Sequence, residues 1–85
     1  MNKISWQTKA LRQLRKLEAE DSDEIRKSVT KELPDFSKSK NVKKLTNHDY
    51  DYRLRVGRFR VFFNFEGKVQ VVSIEEVKKR DERTY

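Results

Sequence analysis

The sequence predicts an α+β fold in which two N-terminal helices pack on one face of a mainly antiparallel sheet, in the order β-α-α-β-β-β. Two observations carry this expectation. Apolar residues recur at helical spacing in the first third of the chain, and from Tyr50 onward they alternate with polar ones residue by residue. Helices and strands therefore segregate along the chain, the arrangement that places helices over one sheet face. At 85 residues the chain makes one small domain, spanning residues 1–85, with a modest core and a shallow, open working surface.

Met1–Ser5 reads as a short edge strand. Trp6, Ala10, Leu11, Leu14 and Leu17 then recur at helical spacing, with Lys9, Arg12, Arg15 and Lys16 on the outer face. The acidic stretch 18–24 leads into a second helix. Asp21 or Ser22 can cap it, Glu24 completing a capping box from Asp21, and the acids suit its positive N-terminus. Ile25, Val29 and Leu33 form its apolar stripe, and Pro34 stops it. Residues 35–49 form a polar connection rich in Lys, Ser and Asn, with a short extended piece around Val42–Leu45.

Residues 50–65 comprise two alternating runs joined at Gly57. In the first, Tyr50, Tyr52, Leu54 and Val56 share one face, while Asp51, Arg53 and Arg55 share the other. In the second, Phe59, Val61, Phe63 and Phe65 are opposed by Arg58, Arg60, Phe62 and Asn64. A two-residue type II′ turn at Gly57-Arg58 aligns the apolar faces by setting Val56 opposite Phe59. The same register sets Arg55 across from Arg60 and Arg53 across from Phe62. Like charges directly opposite each other destabilise a sheet, so an anionic ligand is the expected reason for the arrangement. A second turn is expected at Asn64–Lys68, with Gly67 left-handed and Phe63 and Val61 paired with Val69 and Val71. That register lays Gln70, Val72 and Ile74 beside the arginines as an apolar floor. The segment from Glu75 to Tyr85 mixes both signs of charge.

The net charge is +7 and the pI about 9.8. Residues 50–65 carry the greatest excess for their length, which favours nucleic acid, an acidic protein or an anionic surface as partner. No cysteine is present, so disulfides and thiolate metal sites are excluded, in keeping with a cytoplasmic location. No apolar run approaches the length of a membrane span. Asp49, Asp51, Glu75 and Glu76 lack metal-ligand spacing and read as counter-charges for the arginines, so no metal or other cofactor is expected. His48, the lone histidine, lies in a polar loop and reads as an exposed surface residue.

The segments Ala10–Leu17, Tyr52–Phe62 and Val77–Tyr85 together resemble the RelE/ParE superfamily of bacterial toxins from type II toxin–antitoxin systems. The hairpin is the most specific of the three, through Tyr-Arg-Leu-Arg, a glycine and Phe-Arg-Val in succession. The resemblance implies a small RelE-like fold, a cognate antitoxin as partner, and one of two activities. RelE-like members cleave messenger RNA in the ribosomal A site; ParE-like members inhibit DNA gyrase. An inactive, antitoxin-binding relative is the third possibility. The filled basic and tyrosine positions favour the ribonuclease, a metal-independent enzyme.

In that branch the resemblance implies catalytic roles for Arg60, for Lys79 or Arg80, and for Tyr85, with Arg53 and Arg55 positioning the RNA backbone; Arg58 and Phe62 of the same hairpin are further RNA-binding candidates. Arginine forks suit phosphate oxygens and the charge that develops during cleavage, but they do not deprotonate. The proton acceptor is left among Tyr85, a lysine, His48 and the ribosome. Phe62, Val72, Ile74 and the surface of the first helix are the expected antitoxin contacts.

Overall fold

The computed structural model describes residues 1–80, in which two helices cover one face of a five-stranded sheet. The elements in chain order are β1 (Lys3–Trp6), α1 (Thr8–Arg15), α2 (Ala19–Glu32), a 3-10 helix (Leu33–Lys38), β2 (Val42–Lys44), β3 (Tyr52–Val56), β4 (Phe59–Glu66) and β5 (Val71–Lys79). In space the strands run β1-β5-β4-β3-β2. Among the described residues only the β1–β5 pair is parallel, so the sheet is mainly antiparallel, as the alternation predicts. Among the described residues no helix is long and apolar enough to cross a membrane.

The core lies between the helices and this sheet. Ala10 and Leu14 of α1 and Ile25 and Val29 of α2 are buried with Leu33, Leu54, Val61, Phe63, Val72 and Ile74. Removing a Leu-sized side chain from water contributes about 1.5–3 kcal/mol, so these positions dominate the stability. Trp6 belongs to β1 rather than to the first helix, and it packs against the edge of the core. The second helix begins earlier than expected. Glu18 is its N-cap, and Asp21 and Ser22 lie within its first turns, where no side chain caps it; Glu20 and Asp21 still meet the positive end of the helix dipole.

Pro34 ends α2 as expected, but the following residues are not merely a polar connection. The 3-10 turn lowers Phe36 onto Tyr52, Phe63 and Phe65, with ring centroids 4.9, 5.3 and 5.2 Å away in edge-on geometry. Such edge-to-face contacts add about 0.5–1.5 kcal/mol each beyond burial. One aromatic residue in a hydrophilic stretch thus closes the end of the core.

The first hairpin has the expected register: Val56 faces Phe59, Arg55 faces Arg60 and Arg53 faces Phe62. Gly57 has φ of +55°, the conformation the turn requires. The second turn differs. β4 continues to Glu66, residues 67–70 form the loop, and Gln70 rather than Gly67 is left-handed, with φ of +53°. Phe63 consequently faces Ile74, and Val61 faces Val77.

A β-bulge lies between these two pairs. Phe62 is matched with Glu76 and Phe63 with Ile74, leaving Glu75 as the extra residue. Before the bulge, the even-numbered Val72 and Ile74 point into the core; after it, the odd-numbered Val77 does. The expected apolar floor is therefore absent, because Val72 and Ile74 are fully buried on the opposite face. A one-residue change of phase exchanges the two faces of a strand. Here it turns Glu76 and Lys78 toward the arginine side.

Candidate nucleic-acid interface

The strand ladder fixes the charged groups. Arg55, Arg60 and Lys78 lie in one row across β3, β4 and β5, because Arg60 is matched to Arg55 on one side and Lys78 on the other. The next row holds Arg53, Phe62 and Glu76. Lys79, by contrast, is matched to Phe59 and belongs to the helix-covered side. Arg80 returns to the arginine side, its backbone N–H donating to the Arg58 carbonyl at 2.6 Å.

Arg53, Arg55, Arg60 and Arg80 line a cleft of about 180 Å³ beside the hairpin tip, with Gly57 and Phe59 completing it. Arg58 is exposed on the turn itself and is not among these lining residues. Of the sequence-derived set, the structure thus brings Arg53, Arg55, Arg60 and Arg80 together, places Phe62 beside them, and sets Lys79 apart. Lys78 was missed, since only the bulge reveals which lysine faces Arg60. Tyr85 lies outside the described residues.

Among the described residues no carboxylate lies within ion-pair distance of the cleft arginines. Three of the four acidic groups expected as counter-charges are engaged elsewhere. Asp51 accepts from the Phe65 N–H at 3.2 Å, Glu75 accepts from the Ser73 hydroxyl at 2.7 Å, and Glu76 lies 3.5 Å from the Lys9 ammonium. Burial lowers the pKa of Arg53 from its usual value, and the charges of Arg60 and Arg55 lower it further. An arginine still remains protonated at neutral pH. Among the described residues its Nε is buried without a hydrogen-bond partner, and a buried unsatisfied donor costs about 1–3 kcal/mol. A bidentate anion such as a phosphate diester, whose two non-bridging oxygens match the guanidinium fork, is the natural acceptor.

Beside the cleft lies an aromatic and ionic group that pattern reading did not assemble. Tyr50, expected on the core face, precedes the start of β3 and instead crosses to the arginine side, where its ring centroid is 5.6 Å from that of Phe62. Its hydroxyl donates to Glu76 Oε1 at 2.9 Å. Burial alone would raise the Glu76 carboxyl, but the Tyr50 hydrogen bond and Lys9 outweigh it and hold the pKa below the usual value. The same hydrogen bond and burial raise the Tyr50 phenol. Phe62 is nearly covered, and Val72 and Ile74 are fully buried, so neither aliphatic residue can serve as the expected antitoxin contact in this conformation.

No family model matches the sequence. No curated protein matches it either. Solved structures do. The isolated RelE toxin of E. coli superposes with a TM-score of 0.79 at 19% identity, over 99% of this chain and 89% of that one. A chain of the toxin–antitoxin complex RelBE2 from Mycobacterium tuberculosis gives 0.78 at 20% identity, over 93% and 98%. The chain has the RelE fold. The archaeal RelE–RelB complex from Pyrococcus horikoshii OT3 agrees, with a TM-score of 0.71 at 24% identity over 95% of this chain and 97% of the other. In this chain the parallel edge strand β1 flanks a four-strand antiparallel meander, β2 to β5, and the arginine cleft occupies the sheet face that the helices leave uncovered.

Proposed function

We propose that the protein is the toxin of a type II toxin–antitoxin pair and acts as a metal-independent, ribosome-dependent endoribonuclease on messenger RNA in the A site. The observation that carries this reading is the cleft of Arg53, Arg55, Arg60 and Arg80, uncompensated by carboxylates among the described residues and holding a buried, partnerless Arg53 Nε. A stable domain keeps such a cluster only at a cost in self-repulsion, and a polyanion offsets it. The RelE fold, found in chains solved with their RelB partners, supports a cognate antitoxin as the second ligand. The ribosomal setting places the protein in the cytoplasm.

The chemistry follows from the residues. The ribose 2′-OH attacks the adjacent phosphorus, its proton passes to a base, a cyclic phosphate forms, and the bond to the 5′-oxygen breaks as that oxygen takes up a proton. Arg60 and Arg80 supply fixed positive charge to the phosphorane, Lys78 adds a third cation in line with Arg60, and Arg53 and Arg55 hold the flanking backbone. Tyr85, which lies outside the described residues, is the proposed proton-transfer group. Removing one such cation is expected to lower the rate about 100- to 1000-fold.

Inducing the protein alone in bacteria tests the reading, with message ends mapped on ribosomes and gyrase supercoiling assayed in parallel. Cuts within A-site codons that vanish with Arg60→Ala support the endonuclease. Poisoned gyrase with intact message would replace it with the ParE-like activity, and neither effect would leave an inactive antitoxin-binding relative.

A further inference from the structure

The loop from Leu45 to Asp51 is held more firmly than its composition requires. The Leu45 N–H donates to the Asp51 carbonyl at 2.9 Å, closing the loop on itself. The Asp51 N–H donates to Asn64 Oδ1 at 2.8 Å, while Asp51 Oδ2 accepts from the Phe65 N–H, so a reciprocal pair ties the loop to β4. Within it, Asn47 takes a left-handed φ of +53°, and the following residue is His48.

His48 is thereby laid over Phe62, with centroids 5.2 Å apart and planes only 14° from parallel. Its Nδ1 accepts the Tyr50 N–H at 3.1 Å, which fixes the ring within its plane. The Tyr50 ring stands 5.7 Å from His48 and is itself held by Glu76. Phe62 is 7% exposed, buried beneath its neighbours, whereas His48 is exposed. The result is a two-ring stack whose outer ring, His48, is exposed, beside Arg53, the ladder partner of Phe62. Every nucleobase has a π-face, and stacking on an aromatic side chain is the usual way a protein holds an unpaired base.

We propose that the open face of His48, backed by Phe62, is a stacking subsite for one nucleobase of the message, adjoining the cleft that holds the phosphate. This rests on the reading of messenger RNA as the polyanion. His48 is a binding residue here, and the stack fixes the nucleotide's register relative to Arg53 and Arg60. A ring merely closing off the core would instead leave its outer face without a ligand.

The test uses ribosomes programmed with a short message carrying 2-aminopurine at each A-site position in turn, with 2′-deoxy sugars there to block cleavage. The wild-type protein is expected to quench the fluorescence at one position. His48→Ala should abolish that quenching and weaken message-dependent binding roughly 5- to 150-fold, the range for losing one base–aromatic stack. His48→Phe should retain both. Binding that depends on Arg60 while the fluorescence and affinity are the same in wild type and His48→Ala overturns the subsite alone. Absence of any message-dependent binding by the wild-type protein overturns the messenger RNA reading, and the subsite with it. Unfolding midpoints of the His48 variants, expected to stay near wild type, separate these outcomes from loss of fold.

Discussion

Arg55 and Arg60 stand directly opposite each other across the β3–β4 ladder, and neither is paired with a carboxylate among the described residues. Directly opposed like charges cost a sheet roughly 0.2–1 kcal/mol. Arg60→Ala is therefore expected to raise folding stability by about this amount while removing activity. Urea unfolding at low and high salt checks it: the gain should shrink as salt screens the repulsion, and a variant less stable than wild type at low salt would contradict it.

Lys78 and Lys79 are adjacent in sequence and on opposite sides of the sheet. Lys78→Ala should lower message cleavage at least tenfold, and Lys79→Ala should change it less than twofold. Initial rates on programmed ribosomes with both purified variants decide between them. Equal losses would mean that the bulge does not set the phase of β5 in the working complex.

The Tyr50–Glu76 hydrogen bond gives stability a defined pH dependence. The Glu76 carboxyl is depressed in the fold, so its contribution is present above the ordinary carboxylate pKa and is lost as pH falls through the lower folded value. The Tyr50 phenol is raised, so its contribution is present below its ordinary value and is lost as pH rises through the higher folded one. Tyr50→Phe should cost about 1 kcal/mol near neutrality. The gap to wild type should close at both extremes in denaturant titrations run across pH.

Gly57→Ala should destabilise the hairpin by about 1–2 kcal/mol, because a φ of +55° is unfavourable for a residue with a Cβ. Crowding adds little, the nearest atom being Glu24 Oε1 at 3.5 Å. Phe63→Ala, in the centre of the core, should cost about 3–5 kcal/mol. Thermal denaturation of the two variants gives the comparison, and the order reversed would be inconsistent with these positions.

Local pattern made the first hairpin legible down to its residue pairs, because a glycine turn and two clean alternations admit one register. The helices were legible as amphipathic stripes, although α2 starts after Glu18 without a side-chain cap and Trp6 belongs to β1. What the two-residue alternation alone passed over was the bulge at Glu75. Ile74 and Val77 lie three apart, a spacing that fits neither phase of a strand, and that interruption was the available signal. From it follow the burial of Val72 and Ile74 and the choice of Lys78 over Lys79. The Tyr50–His48–Phe62 group was illegible for a different reason: it is made by hydrogen bonds between a loop and β4, which no periodicity records.

The parallel pairing of β1 with β5 also constrains when the fold can form. Gln7 reaches Ser73 across 66 residues, whereas β3, β4 and β5 are neighbours in sequence, so the meander closes short loops and β1 closes a long one. During synthesis, β1 and α1 emerge first but have no strand to join until residues 71–74 are made. The cationic cleft waits longer still, for Lys78 and Arg80. A nascent chain therefore carries Arg53, Arg55 and Arg60 for some time before it carries the cleft they line, and the order of translation itself delays the assembly of that surface.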